Sequence, residues 1–243
     1  MCIFAVILRS FMTEYTEGIV LHISRHTDRT HILHSYTQAH GRMQYLVYGL
    51  YGRKSQVHVA ALEPLSWIGM EVQQVGSNQQ IGTLKQVHPL YISKRPLSDI
   101  CRKTVAIFLA EVLSRTLCLP LQDLQLFEYL KQLVQYLDTT PSPENLHLVF
   151  MLQFAQYLGF TPALEICDEV ADVPLGEMLL CQDQPFFTQE EAILLRKLRK
   201  EHSLVLNRSV RQQLLRKLCS YYEFHIDGFR TPKSLDVLEE IFD

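Results

Sequence analysis

The sequence predicts an α+β chain, a small β-barrel followed by an α-helical domain. Two observations carry this. Up to about residue 87, apolar residues alternate in short runs separated by glycine-containing and polar turns, which is the period of strands. From about residue 98 the apolar spacing becomes three to four, with capping residues ahead of each run and Pro or Gly after it. With 47% hydrophobic side chains in 243 residues, the chain can bury one large core or two small ones.

Gly18 to Ile23 alternates, with Ile19, Leu21 and Ile23 expected on one face and Val20 and His22 on the other. His31 to Thr37 is a second β-rich run, and the turn Gln38-Ala-His-Gly41 leads into a third, Arg42 to Tyr48. There Met43, Tyr45 and Val47 share one face, and Arg42, Gln44 and Tyr48 the other. Gly49 to Ser55 is a basic loop, after which Val57–Ala61, Leu65–Val75 and Ile81–Val87 complete five or so short strands. That number suits a closed or nearly closed barrel, which leaves no exposed sheet edge.

The helices follow. Ser98 and Asp99 can cap a helix whose single stripe is Cys101, Val105, Phe108 and Val112, ended by Pro120. Leu126, Leu130, Leu133 and Leu137 form the stripe of the next, broken by Thr139-Thr-Pro-Ser-Pro143. Ser142 then caps a third helix with Pro143 at its first position, Leu146, Phe150 and Tyr157 on its buried side, and Gly159 at its left-handed stop. Thr188-Gln-Glu-Glu191 is a capping box, residues 208–226 form a further helix broken by Asp227-Gly228, and Ser234 caps a short last one. Residues 1–11 precede the first strand signal and are expected to be an unstructured or artefactual leader, with Met12 a candidate start. Residues 12–90 are then the barrel and 91–243 the helical domain.

Composition narrows the function classes. The net charge is −3, but residues 1–120 carry 12 Lys and Arg against 7 Asp and Glu, while residues 121–243 carry 11 against 19. A basic half on an acidic remainder points to a polarised binding surface. The six cysteines form no C-x-x-C pair and are read as reduced. Met1 to Leu8 is too short to span a bilayer, and no segment reaches about 20 apolar residues, so a cytoplasmic protein without a membrane role is expected. Hydrolase, phosphate-loop, zinc-protease and dinucleotide motifs are all missing, and no enzyme activity or cofactor is expected.

Three clusters remain. Five histidines (His22, His26, His31, His34 and His40) could hold a metal, but no acidic or cysteine ligand accompanies them, and scattered surface histidines are the better reading. In the basic loop, Arg53 and Lys54 supply charge while Tyr48 and Tyr51 offer stacking faces, as a single-strand-binding barrel needs. A plain solvated hairpin loop fits the same residues. The third cluster is Arg196, Lys197, Arg199 and Lys200, continued by Arg208, Arg211, Arg216 and Lys217, which could bind phosphate or an acidic peptide, or simply face solvent.

Together these segments resemble the RecO family from about Gly18 to Leu238. The resemblance is carried by Gly18-Ile-Val-Leu21, Thr37 with His40-Gly41, and Gly49 followed by Arg53-Lys-Ser55 in the barrel. Phe108-Leu-Ala-Glu-Val112, Leu158-Gly-Phe-Thr-Pro162 with Cys167, Tyr221-Tyr-Glu-Phe-His225 and Lys233-Ser234 carry it in the helices. It implies an OB-type barrel and a protein without turnover that binds single- and double-stranded DNA and anneals strands. It further implies engagement of the acidic tail of single-stranded DNA-binding protein (SSB), and loading of RecA on SSB-coated DNA together with RecR. Some members carry a four-cysteine zinc site in the helical domain; here only Cys167 and Cys181 fall in that region, so no metal is expected.

The expected DNA contacts are Arg53 and Lys54 with Tyr48, Tyr51 and Arg42. The SSB tail ends in apolar residues and a carboxylate, so its receptor needs an apolar slot rimmed by cations. Arg196, Arg199, Lys200, Arg208 and Arg211 around Leu198 are the expected slot. A regulatory or ligand-binding helical protein with a scaffold barrel is the alternative of a different class.

Overall fold

The computed structural model describes residues 13–50, 59–74, 81–93, 99–141, 143–162, 164, 186–201 and 204–241. The leader, the basic-loop residues Tyr51, Arg53 and Lys54, the capping Ser142, and Cys167 and Cys181 lie outside the described residues. Five strands, β1 (Thr13–Arg25), β2 (Thr30–Thr37), β3 (Gly41–Tyr48), β4 (Trp67–Gln74) and β5 (Ile81–Pro89), close into a barrel in the order β1-β2-β3-β5-β4. All neighbours are antiparallel except β3 and β5, whose short parallel pairing completes the ring. This is an OB-type barrel.

The long strand β1 pairs with β4 through Thr13–Ile19 and with β2 through Gly18–Arg25. Its register shifts between Val20 and His22, which inserts Leu21 as an extra residue and bends the strand from one partner to the other. The bulge corrects the simple alternation expected here. Val20, with Ile23 packed against it, joins the barrel interior alongside Leu33, Tyr45, Ile68 and Met70, whereas Ile19 and Leu21 are buried outside that cluster. In β3 the alternation holds, with Met43, Tyr45 and Val47 inside. Each such side chain contributes about 1.5–3 kcal/mol on burial.

The β2–β3 turn is fixed from outside the barrel. Gly41 has φ +65, and a methyl group there would stand 2.0 Å from the carbonyl oxygen of Leu121. Only glycine satisfies both the left-handed backbone and that approach. Tyr36 on β2 is buried and tilts against Phe127.

Six α-helices follow among the described residues: α1 (Ile100–Thr116), α2 (Leu124–Thr139), α3 (Leu146–Tyr157), α4 (Gln189–Lys200), α5 (Arg208–His225) and α6 (Ser234–Ile241). The change from strand to helix falls between Pro89 and Ile100, but packing divides the chain elsewhere. One compact unit holds the described residues up to Pro141 together with Pro232–Ile241; the other holds those between Ser142 and Thr231. No helix among the described residues is long and apolar enough to cross a membrane.

In the first unit Asp99 caps α1 by accepting from the Arg102 N–H, as expected, and α1 packs on β1, α2 and α6. The single stripe predicted for α1 is too narrow: Cys101 is only half-buried, while Leu109, Ala110 and Leu113 are buried beside Val105, Phe108 and Val112. A helix covered on several sides needs a wider apolar face than a surface helix does. The α2 stripe is buried as read.

In the second unit α3 is buried almost all round and packs against α4 and α5. It is preceded by a short 3-10 turn, Pro143–Asn145, rather than starting at Pro143. Tyr157 is 40% exposed, a correction to its expected burial, because a helix end projects beyond its neighbours. Gly159 takes the left-handed stop with φ +83, and the Thr188–Glu191 capping box opens α4.

The chain's last helix is held by one carboxylate. Glu111 on α1 accepts hydrogen bonds from the backbone N–H groups of Lys233 and Ser234, both at 3.0 Å, from the Ser234 hydroxyl, and from Arg115. Ser234 therefore donates its hydroxyl to Glu111, and the α6 N-terminus is capped by Glu111 rather than by Ser234. Although partial burial opposes ionisation, these donors hold the Glu111 carboxyl down at about 2. A carboxylate depressed in the fold stabilises it above the ordinary carboxylate range and loses that contribution as pH falls toward 2. Glu111→Gln is expected to lower stability by about 1.5–3 kcal/mol at neutral pH. It should also flatten the acid limb of a melting-temperature profile between pH 5 and 2 relative to the unsubstituted chain; an unchanged acid limb would contradict the clip.

Candidate nucleic-acid interface

Alternation on β2 and β3 directs Leu33, Met43, Tyr45 and Val47 into the barrel and leaves an outer face paired row by row. Its rows are Thr30 with Tyr48, Ile32 with Leu46, His34 with Gln44, and Tyr36 with Arg42. The first unit covers this face unevenly. At the Tyr36 end the chain linking α1 to α2 lies against it: the Tyr36 hydroxyl and the Leu121 carbonyl oxygen are 3.4 Å apart, and Gln122 donates to the Gln38 carbonyl. At the other end Tyr48 is 60% exposed. The β1–β2 turn stands beside it, since the Gly49 N–H donates to the Arg29 carbonyl at 3.1 Å. Arg29, His26 and Arg25 are exposed on that turn, with Arg25 ion-paired to Asp28.

The uncovered end therefore combines a ring, two half-buried aliphatic side chains (Ile32 and Leu46) and nearby cations. The basic-loop residues Tyr51, Arg53 and Lys54 follow Leu50 in sequence. Bases can stack on such a surface while the cations meet phosphate. Of the expected DNA contacts, Tyr48 lies on this end, whereas Tyr51, Arg53 and Lys54 fall outside the described residues.

Arg42 lies at the opposite, covered end. Its Nη1 donates to the Ser114 carbonyl and hydroxyl at 3.3 and 3.2 Å, and its Nη2 to His34 Nδ1 at 3.3 Å, which ties β3 to α1. Around it is a cluster of histidines that the sequence alone scatters over the surface. His22 and His34 stack with ring centroids 4.0 Å apart, Ser114 Oγ lies 3.3 Å from His22 Nδ1, and Ser24 Oγ lies 3.2 Å from His34 Nε2. Strand parity could have placed His34 and Ile32 outward opposite the buried Leu33. The bulge at Leu21 hid the matching position of His22. Among the described residues no group of His, Cys, Asp and Glu is arranged to hold a metal ion.

In the second unit the basic cluster divides into internal and external members. Leu198 is fully buried and packs the core rather than lining an open slot, a correction to its expected role. Arg211 donates to Asn145 Oδ1 at 3.1 Å and to the Leu206 carbonyl at 3.2 Å, and Lys217 bonds the buried Glu191 at 2.6 Å. Arg199, Lys200 and Arg208 are exposed, and Arg196 is half-buried.

Comparison with known proteins decides the family. Residues 12–92 match the family described as Recombination protein O N terminal, and residues 97–172 match Recombination protein O C terminal. The chain is 32% identical over 241 residues to the DNA repair protein RecO of Phocaeicola vulgatus, covering 95% of this chain and 100% of the relative. The chain belongs to the RecO family. The RecO proteins of Flavobacterium psychrophilum and Bacteroides fragilis are each 29% identical, covering 93% and 96% of this chain and 98% and 100% of the relatives. It is thus a member of a DNA repair and recombination family, and its RecO-type barrel presents the open end described above.

The histidine stack yields a pH signature. Burial, then His22 and Arg42, push His34 down to about 4, and burial with Arg42 lowers His22. Both rings are neutral at pH 7, which leaves each Nδ1 free to accept. Because the unfolded chain binds the His34 proton near pH 6.5 and the folded one only near 4, the His34 contribution to stability falls as pH drops from 6.5 to 4 and then levels; His22 acts in the same direction. Histidine NMR titration should find His34 protonating near pH 4, and His34→Gln should reduce the slope of stability against pH in that window. A midpoint for His34 near 6.5 would contradict the buried stack.

Proposed function

We propose that this chain is a non-catalytic recombination mediator acting in the cytoplasm, which binds single- and double-stranded DNA and anneals complementary strands. With RecR it helps RecA load on SSB-coated DNA. The observation that carries the DNA reading is the uneven cover of the barrel: the β2–β3 face is closed by helices at Arg42 and left open at Tyr48, where the basic loop begins. In this reading DNA lies across Tyr48, Ile32 and Leu46 beside the Arg29 turn, and Arg53, Lys54 and Tyr51, which follow in sequence, are proposed as further contacts. Arg42, at the covered end of the same face, is bonded to Ser114 and His34 rather than offered to DNA. Strand and loop contacts of this kind suit any base sequence.

The partner reading places the SSB tail on the exposed cations Arg199, Lys200 and Arg208 with the half-buried Arg196, while Arg211 holds the backbone beneath them. The exposed Val205 is the apolar neighbour nearest in sequence. RecR is assigned no residues.

Two measurements test these readings. Labelled single-stranded DNA should bind with a clear salt dependence. Arg53→Ala with Lys54→Ala should flatten the slope by roughly 0.7 for each phosphate that is no longer neutralised, uniformly across base sequences. Tyr48→Ala should cost about 1–3 kcal/mol with little change in slope. No binding at any salt concentration would favour the regulatory alternative. Separately, Arg196→Glu with Arg199→Glu should abolish binding of an SSB-tail peptide and spare DNA; the reverse pattern would reassign the cluster to DNA.

A further inference from the structure

The outer rows at the open end of the β2–β3 face, Thr30 with Tyr48, Ile32 with Leu46 and His34 with Gln44, contain no carboxylate. The one acid of the adjoining β1–β2 turn, Asp28, is ion-paired to Arg25. Arg29 differs from Arg25. It is exposed, and its guanidinium enters no ion pair or hydrogen bond among the described residues. Residues 51–58, which follow this end in sequence, contain no Asp or Glu that could neutralise it. A cation left in this state beside the exposed Tyr48 ring suits an anion that carries aromatic groups of its own, as a nucleic-acid strand does.

The backbone fixes where Arg29 stands. Thr30 and Tyr48 are Cα partners across β2 and β3, so Arg29 is one residue from the position that faces the ring; such partners sit about 5 Å apart. The Arg29 N–H donates to the Thr27 hydroxyl at 3.3 Å, and the Thr30 N–H donates to the same hydroxyl at 3.1 Å. The N–H groups of His26 and Thr27 both donate to the Thr30 carbonyl, at 3.0 and 2.9 Å. On the far side the Arg29 carbonyl accepts from the Gly49 N–H, and Gly49 takes φ +61 directly after Tyr48. Glycine adopts that left-handed turn without steric cost. A turn tied on both sides in this way gives up little freedom when its side chain meets a ligand, which is how preorganisation raises affinity.

We infer, resting on the DNA reading of this face, that Arg29 meets a backbone phosphate of the strand whose bases lie on Tyr48, and that Thr27 positions it there. Arg25, already neutralised by Asp28, takes no part. The full chain is titrated against a fluorescein-labelled oligothymidylate over a salt series. Arg29→Ala should flatten the plot of log affinity against log salt by roughly 0.7 and weaken binding about fivefold near 0.1 M salt, the loss of one phosphate contact on a single strand. Its melting temperature should not change, since the side chain is exposed. Arg29→Lys should keep the slope, and so should the charge-neutral double change Arg25→Ala with Asp28→Ala. Thr27→Val should weaken binding with the slope kept, while Thr27→Ser should bind as the unsubstituted chain does. If Tyr48→Ala weakens binding but Arg29→Ala leaves the slope unchanged, the role of Arg29 is overturned and the DNA reading stands. If the unsubstituted chain does not bind the strand, both fall. A slope flattened equally by the Arg25 and Asp28 double change overturns the assignment to Arg29, and full affinity in Thr27→Val overturns the positioning role.

Discussion

Closure of the barrel depends on β1 serving two partners. A strand that hydrogen-bonds β4 along its first half and β2 along its second must change direction between them, and the extra residue at Leu21 allows this. The same bulge changes which side chains face inward. It sends Val20 to the interior, leaves Ile19 and Leu21 buried elsewhere, and sets His22 against His34 on the outside, where Arg42 and Ser114 complete the contact with α1.

Charged groups in the first unit serve as fasteners. Arg42 joins β3 to the end of α1, Arg102 satisfies the last carbonyls of α2, and Glu111 caps α6. Each meets backbone groups that a helix or strand end leaves unpaired, so each substitutes for water at a junction. In the second unit Glu191 combines its capping box with bonds to Gln213 and Lys217. Basic residues here are therefore of two kinds, those consumed by junctions and those facing solvent, and only the second kind is available to DNA or to an acidic peptide.

The β2–β3 face is the one on which the proposed DNA path rests. OB barrels bind oligonucleotides on the face of their second and third strands, and here the open stretch of that face ends at the exposed Tyr48.

The sequence by itself determined the class of the fold, five of the strands and most helix boundaries, because periodicity and capping are local: Asp99, the Thr188–Glu191 box and Gly159 act within a few residues of themselves. Val57–Ala61, read as a further strand, is corrected: its described residues belong to a 3-10 turn, Val59–Leu62. It also determined the interior of β3 and carried the family resemblance. Only the tertiary structure decided how the helices are shared between the units, since α6 returns to α1 across more than a hundred residues through Glu111. Two segments far apart in the chain, the one around Glu111 and the pair Lys233-Ser234, are halves of one junction. The roles of Arg42, Leu198 and Arg211 were equally hidden. Whether a cation meets solvent or a carbonyl depends on neighbours far along the chain, and neither composition nor spacing encodes them.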